Sequence, residues 1–329
     1  MEFNLSAGLF SAEHHFEPLE EARTYDVLIL GGGPAGMTAA VYCMRKGLST
    51  GLITGNVGVQ MADTAGIENY LGYRYIQGNE LIDKFREQVT QFGISFETDA
   101  QIVRMEPGRI HRIHLADGRT FTGRTIIIAT GKQSKKLQVP GEREFTGHGV
   151  AYCAICDAPF YAGRSVVVVG GGNSGVAAGI DLAKIAEHVT LIQRRDRLTA
   201  DQILIDKLAE FKNVNYLLEH EIKTILGEKQ VKRVELVSRK NGRKSMIDTD
   251  GVFVEIGLVP NSAFARDVVA MNEYAEIIVD CHCRTSVDGL FAAGDVTSVP
   301  YKQIIIACGE GAKAALSAAD YIMNQTSQD

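Results

Sequence analysis

The chain has 329 residues, too many for one hydrophobic core and enough for two domains. With 45% hydrophobic and 22% charged residues it has an ordinary globular composition, and a net charge of -6 gives no electrostatic case for nucleic-acid binding. Apolar runs such as Ser165 to Val169 and Ile304 to Cys308 are far shorter than the ~20 residues of a membrane span. Residues Met1 to Thr24 read as an N-terminal arm with a His14-His15 pair and no basic segment leading into an apolar one, so the expected location is cytoplasmic. Six cysteines are too few for a disulfide framework, and any disulfide is expected to be catalytic.

The first element after the arm is a β-type run, Tyr25 to Leu30, which ends in Gly31-Gly32-Gly33-Pro34-Ala35-Gly36 and leads into a helical pattern through Arg45. Strand, glycine turn and helix together are the context of a dinucleotide fingerprint: Gly31 makes the turn, Gly33 admits a pyrophosphate, and Gly36 lets the helix pack on the strand. The plainer alternative is a bare βα turn. A second strand, Ser49 to Ile53, should end in an acid for the ribose hydroxyls and instead meets Thr54-Gly55-Asn56, whose neutral Thr54 and Asn56 are expected to hydrogen-bond the ribose in its place. Gly78 to Phe92 reads as an amphipathic helix, and alternating strands follow as far as Thr125 to Gly131.

Tyr152-Cys153-Ala154-Ile155-Cys156-Asp157 then places two thiols one turn apart at a helix start, a spacing that can close and reopen a disulfide. Asp157 stands where a proton donor for a departing thiolate belongs. The alternative is half a zinc site, completed by Cys281, His282 and Cys283, although Cys-x-Cys is a poor match to the usual structural zinc pairs.

The strand, glycine turn and helix recur at once, with Arg164 to Val169 leading into Gly170-Gly171-Gly172-Asn173-Ser174-Gly175, a helix through Ile185 and a strand Val189 to Ile192. Two fingerprints in one chain argue for two dinucleotides and two α/β domains. The second unit ends in Gln193-Arg194-Arg195-Asp196-Arg197, where arginines in place of an acid favour the 2′-phosphate of NADP over a solvated basic turn. Near the C-terminus, Gly289 to Val296 reads as a strand closing in Gly294-Asp295, which offers Asp295 to a chain of hydroxyls. Tyr301 to Met323 reads as a helix whose first turn, near Gln303 and Ile304, presents free N–H groups to an electron-rich ring.

In this order, the first fingerprint, Ala129-Thr130-Gly131, Cys-Ala-Ile-Cys-Asp, the second fingerprint and Ala-Gly-Asp-Val resemble a bacterial-type thioredoxin reductase over Tyr25 to Met323. Val299 to Ser317 and Ala200-Asp201-Gln202 are also similar to the flavoprotein component of alkyl hydroperoxide reductase.

The resemblance implies two Rossmann-like domains, the second inserted into the first. FAD would occupy residues 25–133 and 251–329, and an NADPH domain carrying the cysteine pair would occupy 134–250. It implies that Cys156 faces the flavin, Cys153 attacks the disulfide of thioredoxin or a glutaredoxin-like protein, and Asp157 moves protons. It places Gln60, Asn69, Thr130, Gly131, Gly294, Asp295, Gln303 and Ile304 on the flavin, and Arg194 and Arg195 on NADPH. It also implies a homodimer, and rotation of the inserted domain about linkers near Gly131 and Gly251. Val59, Gln193 and Thr199 depart from the family pattern, and a related branch takes its electrons from ferredoxin.

Overall fold

The computed structural model describes residues 17–57, 61 and 66–326. The chain divides into two compact units: Met1–Gln60, Asn79–Gln133 and Val259–Asp329 form the first, Met61–Gly78 and Ser134–Leu258 the second. Both are mixed α/β, as expected.

The first unit is built on β1 (Thr24–Gly32), α1 (Pro34–Arg45), β2 (Thr50–Val57), α2 (Gly78–Thr90), β3 (Ser95–Glu97), β4 (Ile102–Glu106), β5 (His111–Leu115) and β6 (Thr120–Ile128). Its sheet runs β3-β2-β1-β6-β5-β4, and Leu290–Ala292 joins β6 as a seventh strand. β1 lies parallel between β2 and β6, with Leu28 opposite Gly51 on one side and Ile126 on the other. Its Leu28 and Leu30 bury against Ile126, Ile128 and Phe121. A C-terminal helix spans Ile304–Thr326, and a Cβ at its Gly311 would run into the Ala35 carbonyl of α1, so the two helices touch backbone to backbone. The sequence pattern extends this helix back to Tyr301. That residue sits at φ 60 in the left-handed region, which no helix accommodates, and the helix begins three residues later.

After β7 (Lys132–Ser134), the second unit carries β8 (Val150–Ala151), α3 (Ala154–Asp157), β9 (Ser165–Val169), α4 (Asn173–Ala183), β10 (His188–Gln193), α5 (Gln202–Ala209), β11 (Val214–Leu218) and an antiparallel meander, β12 (His220–Gly227), β13 (Val231–Ser238) and β14 (Lys244–Asp248). A further strand, β15 (Gly251–Val254), completes an all-parallel sheet of order β11-β10-β9-β15-β8. The unbroken valine run of β9 follows from its position between two covered faces. Val166 and Val168 pack with Leu191, Leu208 and Phe253, while Val167 and Val169 turn to Val234, Leu236 and Val252. Each of these buried valines contributes roughly 1.5–3 kcal/mol of transfer free energy.

Two expected boundaries move. The sequence reading places residues 251–254 in the flanking domain, yet Val252 and Phe253 pair with Val167 and Val168 of β9, so the inserted unit extends to Leu258. An apolar tetrapeptide does not declare which sheet it completes. Residues 61–78 also group with the second unit, where the ring of Tyr75 stands edge-on to Phe160 at 6.3 Å. The two chain crossings, Lys132–Ser134 and Leu258–Pro260, pair with each other as a two-stranded sheet.

Candidate functional site

In both glycine turns the backbone assigns each glycine a different duty. Gly31 sits at φ 115 and Gly170 at φ 128, where a side chain would be strained. A Cβ on Gly31 would strike the Ala129 carbonyl, and one on Gly170 the Glu255 carbonyl. A Cβ on Gly36 or Gly175 would strike the carbonyl of the first glycine of its own turn, which is the close helix–strand approach the fingerprint requires. At Gly33 a Cβ would meet nothing within 4 Å, and at Gly172 only the Thr199 hydroxyl at 4.0 Å. These two glycines are the N-cap residues of α1 and α4, and no side chain caps either helix. Open space in front of uncapped first-turn N–H groups fits a pyrophosphate in both units. Pro34 at the first helical position removes an N–H that would lack a partner, and Ala35 is buried behind it.

The residues at the ribose positions have structural duties. Thr54 is buried and its hydroxyl accepts the Gly32 N–H at 3.1 Å. In the second unit Gln193 is buried against Gly171, and its side-chain oxygen accepts the Arg194 N–H at 2.9 Å. Arg194 and Arg195 are exposed just beyond it. The segment then folds back so that the N–H of Thr199 donates to the Gly171 carbonyl at 2.7 Å. Asn173 and Asp201 exchange two hydrogen bonds, from Asn173 Nδ2 to the carboxylate at 3.0 Å and from the Asp201 N–H back to Asn173 Oδ1 at 2.8 Å. Ser174 is exposed, and its hydroxyl reaches the Glu255 carbonyl at 3.5 Å.

Further along the first unit, Thr130 and Gly131 form a turn clamped by Asn261. The Thr130 hydroxyl donates to the Asn261 carbonyl at 2.7 Å, Asn261 Nδ2 returns a bond to the Thr130 carbonyl at 2.8 Å, and the Asn261 N–H donates to Gly131. Asp295 follows Gly294, whose φ of 75 and close approach to Ala35 need a glycine. Burial raises the Asp295 carboxyl above the usual carboxylate range, and Lys302 and Lys132 oppose that shift. Lys132 makes a buried ion pair with Glu276, which also takes a bond from Asn272 at 2.6 Å. Lys302, beside Gln303 and Ile304 at the start of the C-terminal helix, donates to the carbonyls of Thr297 and Val299. Glu310 accepts the Gly294 N–H at 2.8 Å through one oxygen, while its other buried oxygen has no hydrogen-bond partner. A buried acceptor left open beside Gly294-Asp295 fits a hydroxyl-bearing ligand there. Sequence reasoning missed Asn261, Lys132, Glu276 and Glu310. Only Asn261, following Val259-Pro260, carries any local signal.

Cys153 and Cys156 are joined in a disulfide with their Cα atoms 5.4 Å apart. Cys153 is the N-cap of α3 in extended backbone, and its sulfur accepts the Cys156 N–H at 3.3 Å. Asp157 closes the same turn, its N–H on the Cys153 carbonyl at 3.0 Å and its side chain buried. Burial, then the Asp157 charge, push the Tyr161 hydroxyl up to about 12. The Ala154 N–H donates to the Glu255 carboxylate at 3.3 Å. Asn69 lies exposed in the second unit, and Gln60 falls outside the described residues. Cys281 is exposed, whereas burial pushes the Cys283 thiol up to about 11 and that of Cys43 up to about 12. Among the described residues, no group of three or more His, Cys, Asp and Glu side chains is placed to hold a metal ion. No helix among them is long and apolar enough to cross a membrane.

The chain is 44% identical over 312 residues to the F component of alkyl hydroperoxide reductase from Escherichia coli K12, covering 93% of this chain and 60% of the relative. It is 42% identical over 299 residues to a Bacillus subtilis protein named NADH dehydrogenase, covering 91% and 59%. It therefore spans about 60% of the length of the curated relatives it matches. The fold is similar to the solved thioredoxin reductase of Streptococcus pyogenes, with a TM-score of 0.87, 37% identity and coverage of 92% of this chain and 99% of that one. The thioredoxin reductase of Giardia duodenalis gives a TM-score of 0.85, 31% identity and the same coverage. Residues 25–311, from the first strand to the C-terminal helix, match the pyridine nucleotide-disulphide oxidoreductase family, and the chain belongs to it.

Proposed function

We propose that this oxidoreductase takes electrons from NADPH by way of FAD and delivers them, through the Cys153–Cys156 pair, to the disulfide of thioredoxin or a thioredoxin/glutaredoxin-like protein. The observation that carries this reading is the disulfide at the N-cap of α3, in the same unit as an intact second fingerprint. When bound, the two cofactors supply the hydride chemistry that no side chain offers.

The residues divide the remaining work. The first-turn N–H groups beyond Gly33 would hold the FAD pyrophosphate, with Thr130, Gly131 and Asp295 toward its hydroxyl chain and Gln303 and Ile304 toward its ring. Gly170 to Gly175 would hold NADPH, with Arg194 and Arg195 on the 2′-phosphate. In the reduced pair, the Cys156 N–H directed at the Cys153 sulfur favours its thiolate. That thiolate attacks one sulfur of the partner's disulfide and releases the other. Cys156 then attacks Cys153, re-forming the internal disulfide and releasing the partner with two electrons gained. Asp157, buried one residue away, holds and returns the proton of the Cys156 thiol.

The test is an anaerobic titration of the yellow protein with NADPH, NADH and reduced ferredoxin, followed by oxidised thioredoxin. Bleaching of the flavin band by NADPH, with recovery on adding thioredoxin, is the expected result. Bleaching by ferredoxin alone would overturn the donor assignment.

A second reading has its own support. Identity is higher to the alkyl hydroperoxide reductase component, at 44%, than to the solved Streptococcus thioredoxin reductase, at 37%. In that reading the pair feeds a peroxide-reducing partner through a separate disulfide carrier. Turnover with a peroxiredoxin or such a carrier, and none with thioredoxin, selects it.

A further inference from the structure

Glu255 is the residue that meets both redox features of the second unit. It follows β15 directly, at the carboxyl edge of the parallel sheet where ligands of such sheets gather. Its main chain is pinned: the N–H donates to the Val169 carbonyl at 2.8 Å, and its own carbonyl lies against Gly170 and accepts the Ser174 hydroxyl at 3.5 Å. Its carboxylate reaches the other way and accepts the N–H of Ala154, the first residue of α3 and the neighbour of Cys153. We propose that Glu255 is a positioning residue that sets the ionisation, and with it the reducing power, of the Cys153–Cys156 pair. This rests on the reading of that pair as the redox centre.

The physical reason is the charge that Glu255 brings to the start of α3. An N–H at a helix start favours a thiolate at the N-cap. At Cys153 that N–H is the one of Cys156, whereas the Glu255 carboxylate takes the Ala154 N–H and so places a negative charge one residue from Cys153. A like charge at this range disfavours the thiolate, makes the dithiol form less stable and leaves the pair a stronger reductant. Burial brings the Glu255 carboxyl up to about 7, so it is charged at pH 8. The other ionisable groups at the cysteine helix are Asp157, the residue after Cys156, and Tyr161, whose hydroxyl is pushed up to about 12 and is neutral at that pH. The hydrogen bond from Ala154 goes to Glu255.

The test uses the full flavin-loaded protein and its Glu255→Gln variant, equilibrated with reduced and oxidised dithiothreitol at pH 8. The reaction breaks the Cys153–Cys156 bond and closes the dithiothreitol ring. Two electrons pass to the protein and the protons of the reagent's thiols pass to the cysteines or to solvent. Free thiols are trapped by alkylation and counted by mass. Glutamine keeps the oxygen that accepts the Ala154 N–H, so a purely structural role predicts no change. Loss of the charge is expected to lower the apparent pKa of the attacking thiol, read from the pH profile of iodoacetamide alkylation, by about one. For a thiol otherwise titrating near 8, the equilibrium then moves toward the reduced protein about fivefold, or about 20 mV.

An unchanged thiol pKa and equilibrium constant would overturn the proposal. Should E255Q misfold, Glu255→Met, apolar and of similar length, must move both quantities in the same direction. Dithiothreitol reaches the pair without nicotinamide, so inactivity with NADPH would defeat the proposed function alone, and an unchanged constant this inference alone.

Discussion

Replacing Gly33 and Gly36 separately by alanine distinguishes a ligand-facing glycine from a packing one three residues away. At Gly33 the backbone, φ -85 and ψ -174, suits any residue, and a methyl group would contact nothing within 4 Å. Alanine is a poorer N-cap than glycine, a loss of up to about 1 kcal/mol, and it recovers about 0.4–1 kcal/mol by restricting the unfolded chain. The net change stays within about 0.5 kcal/mol, or roughly 1–2 °C in Tm. The same methyl would occupy the space in front of the first-turn N–H groups, so flavin retention is expected to collapse. At Gly36 the added carbon would strike the Gly31 carbonyl, forcing α1 away from β1. Such overpacking costs about 1–3 kcal/mol, of which alanine's helix propensity returns about 1 kcal/mol. The assay is the ratio of flavin to protein absorbance after purification, together with thermal melts of the flavin-stripped proteins. G33A should melt like the parent and lack flavin, whereas G36A should melt several degrees lower. A G33A protein that keeps its flavin, or melts as low as G36A, would refute this account of the turn.

Replacing Cys153 or Cys156 by serine should reduce turnover with a protein disulfide to background while leaving bleaching of the flavin by the nicotinamide intact, as stopped-flow absorbance would show. Lys132→Met strands Glu276 in a pair whose side chains are 8% and 15% exposed, and should cost about 3 kcal/mol in urea unfolding, reduced if Lys302, 3.9 Å from Glu276, swings in to replace it. Adding Glu276→Leu to it should recover most of that loss. The Glu255 carboxyl titrates near 7 in the fold against an ordinary 4.5, so between those values the native state holds a proton that the unfolded state has lost. Stability therefore falls as pH rises through that window, by at most about 3 kcal/mol, and E255Q should flatten that part of the curve measured by denaturant unfolding. Swapping Arg194 or Arg195 singly for alanine should lower kcat/KM for NADPH by about one to two orders of magnitude and leave NADH unaffected, since each lost charge-assisted bond is worth about 1.5–3 kcal/mol. Equal losses with both donors would remove these arginines from 2′-phosphate recognition.

The glycine turns were legible because backbone geometry leaves little choice at Gly31 and Gly170, and the valine run of β9 read as the strand leading into the second turn. The cysteine pair was legible from its spacing together with its neighbours, since the spacing alone also suits half a zinc site. What escaped the sequence was set by contacts between distant residues. Asn261 clamps Thr130 across 131 positions, and Glu255 meets Ala154 across 101. No local periodicity encodes such meetings. Thr54 and Gln193 show a second kind of concealment. Both occupy positions where a ribose-binding acid was expected, and both turn inward to hold the backbone around the glycine turns. Their amide and hydroxyl groups have the same chemistry in either role, and only the fold shows which is used.

The ribbon formed by Lys132–Ser134 and Leu258–Pro260 bears on the order in which the chain can fold. In the first unit β6 pairs with the strand Leu290–Ala292, with Ile126 opposite Leu290. On an unfolded chain that pairing closes a loop of well over a hundred residues, at the entropic cost such closure carries. Folding of the inserted segment brings its two ends to hydrogen-bonding distance, Lys135 N–H to the Gly257 carbonyl at 2.9 Å, and the long loop becomes a short one. The host sheet is therefore expected to complete late, after the insert has folded. A lesion in the inserted segment, such as a bulky residue at Gly251 against the Tyr161 ring, should delay recovery of the host unit's signal on refolding although it touches none of that unit's own core.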